Sequence, residues 1–310
     1  MIITTHAVMS TTPFPFTPAL WTGVVNSTFG SSNINKVIYN EDTSEYVIAG
    51  SGGKIAKSTN ILDWTAQVGT FGTSSIFSLA YGDGKYIAGG SIGKMSTSSD
   101  AETWSTLNSS FGSGVVLTIV YAPNIGGSSG IWIAAGGGGK LATSVDGNSW
   151  TQRLSSFGIS FIRSIHVTDT LLIAVGDDGK LATSTDGLTW TQRFSAFGIT
   201  PIYDVAARGS EYVAVGDSGK ISISSGGTSW SQVFPTTTFV TSSLRAVAVN
   251  NEGSDPFVAA GASGKLATSF DKYVWSQRVS QFGSSGINDI YVGSNTAVAV
   301  GNSGKISYSI

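Results

Sequence analysis

The groups in this chain that could do chemistry are few, and they are spread along its length. There is no Cys, which removes thiol nucleophiles, disulfides and Cys-ligated zinc. There are two His, His6 and His166, too few for a multi-His metal site, and no metal or cofactor is expected. Two aspartates stand apart from the other acids. Asp204 and Asp289 each follow an isoleucine by two residues (Ile202, Ile287) in segments that alternate apolar and polar. A carboxylate pair could divide acid and base roles in glycoside hydrolysis if separated by about 5 to 9.5 Å, with one carboxyl raised in pKa. The same two residues also suit the polar lining of a water-filled channel, and that reading is preferred. His166 sits in a similar segment, Ile162 to Thr168, and is read as packing or channel lining. Of six arginines, Arg153, Arg193 and Arg278 recur three residues after a Trp, whereas Arg163, Arg208 and Arg245 do not. Gly-Lys occurs with lysines at 54, 94, 140, 180, 220, 265 and 305. These are not phosphate loops, because Ile, Met or Leu follows each Lys and no helical period comes after. No catalytic residue is assigned.

The seven lysines Lys54, Lys94, Lys140, Lys180, Lys220, Lys265 and Lys305 are separated by steps of 40, 46, 40, 40, 45 and 40 residues. With each Lys as zero, position −4 is Gly and position +4 is Ser in all seven units. Position +10 is Trp wherever the chain reaches it: Trp64, Trp104, Trp150, Trp190, Trp230 and Trp275. A Phe, usually in Phe-Gly, follows seven to nine residues later. In one unit, Ile162 to Thr168 alternates as a half-buried strand and Leu171 to Gly176 is a continuous apolar run. Asp-Asp-Gly-Lys then makes a tight turn, and Lys-Leu-Ala-Thr-Ser and Thr-Trp-Thr-Gln-Arg-Phe supply strands three and four. Four short strands every 40 to 46 residues specify an all-β fold, a propeller of seven blades.

Lys305 lies too close to the C-terminus to be followed by its Trp, whereas Trp21 has no lysine before it. The strand Trp21 to Val25 is therefore expected to complete the last blade by pairing with Lys305 to Ser309, which closes the ring and removes its open edges. The propeller is assigned to residues 17–310. Residues 1–16 are set apart as an N-terminal docking tail, with Phe14 and Phe16 as anchors. The first twenty residues carry no Lys or Arg, and Pro13, Pro15 and Pro18 interrupt them, so no secretory signal is expected. No apolar run reaches membrane-spanning length. A net charge of −2 gives no footprint for a phosphate backbone, so no nucleic-acid partner is expected.

The segments Ser144–Trp150 and Ser184–Trp190 resemble the Asp-box (bacterial neuraminidase repeat) hairpin, and Ser98–Trp104 and Ser269–Trp275 are close variants. The resemblance implies structural roles for Asp100, Asp146, Asp186 and Asp271 and for the Trp column, including Trp21. Asn60 and Gly226 replace the acid in two units, which reads as degradation of those boxes. The repeat wording Gly-Lys-Leu-Ala-Thr-Ser-x-Asp-Gly-x-x-Trp-Thr-Gln-Arg followed by Phe-Gly is similar to propeller repeats in tailed-bacteriophage virion proteins. That likeness implies a non-enzymatic tail or fibre adhesin or decoration module. Its location would be the virion, released by lysis, and its partners other virion proteins or host-surface glycans, with oligomers formed through assembly. A secreted or cellular lectin-like propeller is the alternative. A sialidase fits less well, since the Arg-Ile-Pro motif and a suitable Glu are missing, and a photosystem-type assembly factor lacks its arginine patch. The expected binding face carries the seven lysines and the Phe-Gly loops, and Arg153, Arg193 and Arg278 are further binding candidates.

Overall fold

In a computed structural model, residues 20–24, 26–125, 130–233, 239, 241–249 and 256–310 are described. The proposed tail, with Phe14 and Phe16, lies outside them. The chain forms seven four-stranded antiparallel sheets in a ring, a seven-bladed β-propeller. The inner strands are Ile34–Asn40, Ile76–Gly82, Val116–Ala122, Ile162–Val167, Ile202–Arg208, Leu244–Ala248 and Ile287–Val292, in blades I to VII. Each packs beside the inner strands of both neighbours, so together they surround a central channel. The only helical pieces among the described residues are seven three-residue 3-10 turns between the second and third strands.

Two glycine columns of the repeat have steric causes. Gly179 ends such a turn at φ 63°, and a Cβ there would meet the carbonyl oxygen of Gly198 at 2.1 Å. Gly176 is extended, but a Cβ would lie 1.9 Å from the Phe161 carbonyl oxygen, because the turn folds directly onto the start of its own inner strand. The Asp177 N–H donates to that same carbonyl at 2.9 Å.

Apolar wedges fill the space between blades. Trp190 of blade IV packs with Ile131 and Ile133 of blade III, and Trp64 of blade I packs with Val298, Val300 and Ile306 of blade VII. The Phe rings of this column (Phe29, Phe71, Phe111, Phe157, Phe197, Phe239, Phe282), all but Phe239 in Phe-Gly, are almost wholly buried in the same wedges. They are core residues, so the displayed Phe-Gly face expected from sequence is corrected: only the turn backbone is at the surface. A ring has one more joint than a row of blades, and each joint needs a large apolar filler, which explains why the aromatic column recurs without exception.

Ring closure follows the expected register. Thr22, Gly23 and Val24 pair with Tyr308, Ser307 and Ile306, and Trp21 is buried against blade VI. Val25, included in the expected strand, lies outside the described residues.

Candidate functional site

Most of the polar groups that recur in every blade have partners inside the fold. Six of the seven lysines donate from Nζ to the carbonyl of the Phe that precedes their own blade. Lys54 reaches Phe29 at 2.7 Å, Lys94 Phe71 at 2.9 Å, Lys140 Phe111 at 2.7 Å, Lys180 Phe157 at 2.6 Å, Lys220 Phe197 at 3.1 Å and Lys305 Phe282 at 2.9 Å. These ammonium groups tie the turn to the loop that enters the blade, and they do not form a projecting ring of contacts. Lys265 occupies the same repeat position in blade VI.

The acidic turns behave similarly. Asp146 accepts the Ser144 hydroxyl at 2.8 Å and the N–H groups of Asn148 and Ser149, both at 2.8 Å. These bonds, led by that of Ser149, hold its carboxyl far below the usual carboxylate range. Asp100, Asp186 and Asp271 accept the equivalent pairs of N–H groups. Asn60 does the same through Oδ1, accepting from Leu62 at 2.9 Å and Asp63 at 2.8 Å. Blade I's turn is therefore intact, contrary to the expectation from sequence, because the turn needs a side-chain oxygen and not a charge. Gly226 has no such oxygen. The Trp column closes each turn: Trp190 Nε1, for example, donates to the Gly187 carbonyl at 3.3 Å. Arg153, Arg193 and Arg278 lie on the outer strands of blades III, IV and VI and donate from Nε to Thr143, Thr183 and Thr268. They do not converge on one point.

Unlike groups converge in the central channel. The third residue of each inner strand forms a layer: Lys36, Ser78, Thr118, Ser164, Asp204, Ala246 and Asp289. These side chains join blades. Asp289 accepts the Val37 N–H at 2.9 Å, Ser78 that of Ile119 at 2.7 Å, Thr118 that of Ile165 at 3.3 Å and Asp204 that of Val247 at 2.9 Å. Asp204 and Asp289 therefore lie in the channel wall, as expected, each holding the next blade. Lys36 pairs with Asp289 at 3.0 Å, and Ser164 donates to Asp204 at 2.7 Å.

On the side of the loops joining first and second strands, four residues of this layer, Lys36, Ser78, Thr118 and Ser164, floor a cavity of about 560 Å³. Lys36, Ser78, Thr118, Ser164 and His166 line its depth, and Tyr39, Tyr81, Tyr121, Tyr291, Glu41 and Asp42 line its mouth. Tyr39, Tyr46 and Tyr291 form one cluster with ring centroids 4.6 to 5.9 Å apart, and Tyr81 donates to Asp42 at 2.8 Å. A groove of about 1030 Å³ continues from Tyr121 across blades III to V, lined by Pro123, Asn124, Thr168, Asp169, Thr170, Ser210 and Tyr212.

Burial sets the charge state of this channel. It pushes the Asp204 carboxyl up to about 6, against the opposing pull of Lys36. It raises the Asp289 carboxyl as well, again opposed by Lys36. For Lys36 itself, burial works against the charge, but Asp289 and Asp204 outweigh it and raise its pKa. Burial lowers His166 to about 4, so its imidazole is neutral at pH 7. Its Nε2 is buried and has no hydrogen-bond partner among the described residues. At the opposite mouth Arg163 pairs with Asp177 at 2.8 Å and lies over the rings of Phe161 and Tyr203. No cluster of three metal-ligating side chains occurs among the described residues.

Sequence reasoning placed Asp204, Asp289 and His166 in this channel but missed Lys36 and the tyrosine mouth. A signal existed for the latter: Tyr39, Tyr81 and Tyr121 hold one repeat position in three successive units.

No family model matches this sequence, and no curated protein matches it. Among solved structures, the chain superposes on virginiamycin B lyase from Staphylococcus aureus with a TM-score of 0.80 at 11% identity, covering 94% of this chain and 99% of that one. It superposes on YCF48 bound to D1 peptide with a TM-score of 0.73 at 15% identity, covering 94% and 95%. For the WD40 propeller domain of Doa1 the TM-score is 0.74 at 12% identity, covering 94% and 96%. A lyase and a peptide-bound protein share this architecture, so the likeness establishes the propeller and no activity.

Proposed function

We propose that the chain is a non-enzymatic recognition module of a bacteriophage particle, which binds host-surface glycans through the tyrosine mouth and the groove beside it. The observation that carries this reading is the lining of that concavity. Tyrosine rings stand beside Ser, Thr and Asn groups, the mixture that packs on sugar faces and bonds to sugar hydroxyls. The Ser164 hydroxyl donates to the Asp204 carboxylate, but Asp204 and Asp289 each also accept an N–H group of the next blade, which fits a structural use of these groups better than a catalytic one. The particle context rests on the similarity of the repeat wording to tailed-phage virion proteins. As a virion component it would act outside the host after lysis, with neighbouring virion proteins as its other partners.

A glycan array probed with the purified chain tests this. The expected result is binding that Thr170→Trp, an exposed groove position, abolishes, and that Leu154→Ser, an exposed position on the opposite face, leaves intact. An array without signal, or loss in both variants alike, contradicts the reading.

A further inference from the structure

We propose that the floor of the channel is a subsite for a protonated amine, and that the sugar it admits is an unacetylated hexosamine. This rests on the glycan reading above and adds the chemistry of one sugar unit. The charges facing the cavity are unbalanced. Lys36 is the one cation among the lining residues, and it is already 3.0 Å from Asp289. Asp204, in the same layer and bonded to the lining residue Ser164, has only neutral hydrogen-bond donors, that hydroxyl at 2.7 Å and the Val247 N–H at 2.9 Å, and shares the field of Lys36 with Asp289. Glu41 and Asp42 add negative charge at the mouth. The arginines of the inner strands do not offset this: Arg163 pairs with Asp177 at the other mouth, Arg245 donates to Asn288 at 2.8 Å, and Arg208 pairs with Glu211 at 2.9 Å. His166 is neutral at pH 7 and adds no positive charge.

A half-buried carboxylate that shares one ammonium favours a ligand that brings a second cation, because Coulomb attraction strengthens away from bulk water. An anionic sugar meets the opposite field. A further feature selects a sugar amine over a bare cation. The Tyr39 and Tyr291 rings at the mouth offer apolar and π faces to a pyranose and to its ammonium. At 560 Å³ the cavity is within the range that holds small ligands.

The test is calorimetric titration of the intact chain with three probes at pH 7.5: glucosamine tetramer, N-acetylglucosamine tetramer and hexalysine. The expected result is that the free-amine tetramer binds at least tenfold more tightly than its acetylated counterpart, and that Asp204→Asn brings that ratio close to one. The ratio between ligands on the unaltered protein needs no variant, and a melting curve checks that Asp204→Asn is folded. Equal affinity for the two tetramers overturns the amine subsite and leaves glycan binding standing. Hexalysine binding without glucosamine binding overturns the sugar and points to a basic peptide. Failure of every sugar, here and on the array, overturns the glycan reading itself.

Discussion

Two half-buried groups in the channel pull the acid stability of the fold in opposite directions, and substituting each one should expose the other. The Asp204 carboxyl moves from 3.8 in the unfolded chain to about 6 in the folded one. Between those values the folded chain keeps a proton that the unfolded chain has released, so this group costs stability as pH rises through the window. His166 moves from 6.5 to about 4. There the unfolded chain takes up the proton first, so stability is lost as pH falls from about 6.5 towards 4. Each tenfold change in proton affinity is about 1.4 kcal/mol, which makes each contribution roughly 3 kcal/mol with opposite signs. In the parent the two nearly cancel. Asp204→Asn should therefore lose roughly 3 kcal/mol more than the parent on going from pH 7 to pH 4, and His166→Gln should lose roughly 3 kcal/mol less. Urea unfolding at each pH measures this, with unchanged slopes licensing the comparison. The strongly bound Asp-turn carboxyls titrate alike in all three proteins, so the differences between proteins are the readout. If both variants run parallel to the parent between pH 4 and 7, the burial assigned to this channel is wrong.

Lys180→Met removes the donor to the Phe157 carbonyl and should cost about 1–3 kcal/mol, read as a drop of a few degrees in melting temperature; a solvated turn lysine would cost nothing measurable. Asn60→Ala leaves the Leu62 and Asp63 N–H groups without their acceptor and should cost about 1 kcal/mol in a urea melt, against no change if that turn were a relic. Deleting residues 1–26 removes the strand paired with Ile306–Tyr308 and the buried Trp21, and should lower the melting temperature by many degrees and promote association through the bared edge. An unchanged melting curve would contradict the closure.

The blade count, the strand order within a blade and the closing strand could be read from the repeat because each column answers a local or nearest-blade demand. Gly176 and Gly179 leave room where a Cβ would strike a carbonyl, and Trp190 fills the joint to the preceding blade. The role of the lysines could not be read the same way. A Lys beside a tight turn looks alike whether its ammonium meets water or a carbonyl 23 residues earlier, as Lys180 does with Phe157. The channel layer was legible only in part. Lys36, Ser78, Thr118 and Ser164 differ in type, so no column marks them, and only ring closure brings Lys36 to Asp289, 253 residues away. Asn60 was misread because a change of residue was equated with a loss of function, whereas its amide oxygen serves as well as a carboxylate.

Whether the ligand occupies the channel decides the proposed function. The chain has two histidines, His6 and His166, so its histidine Cε1–Hε1 region should hold two signals, and His166→Gln identifies which is which. Recorded at pH 7.5 with the glycan that gives the strongest array signal, the carbon–proton spectrum should show the His166 resonance moving to saturation with the calorimetric affinity while the His6 resonance stays in place. Saturating glycan with the His166 signal unmoved would contradict the claim, because a ligand seated in a cavity whose wall includes that imidazole cannot leave its shielding unchanged.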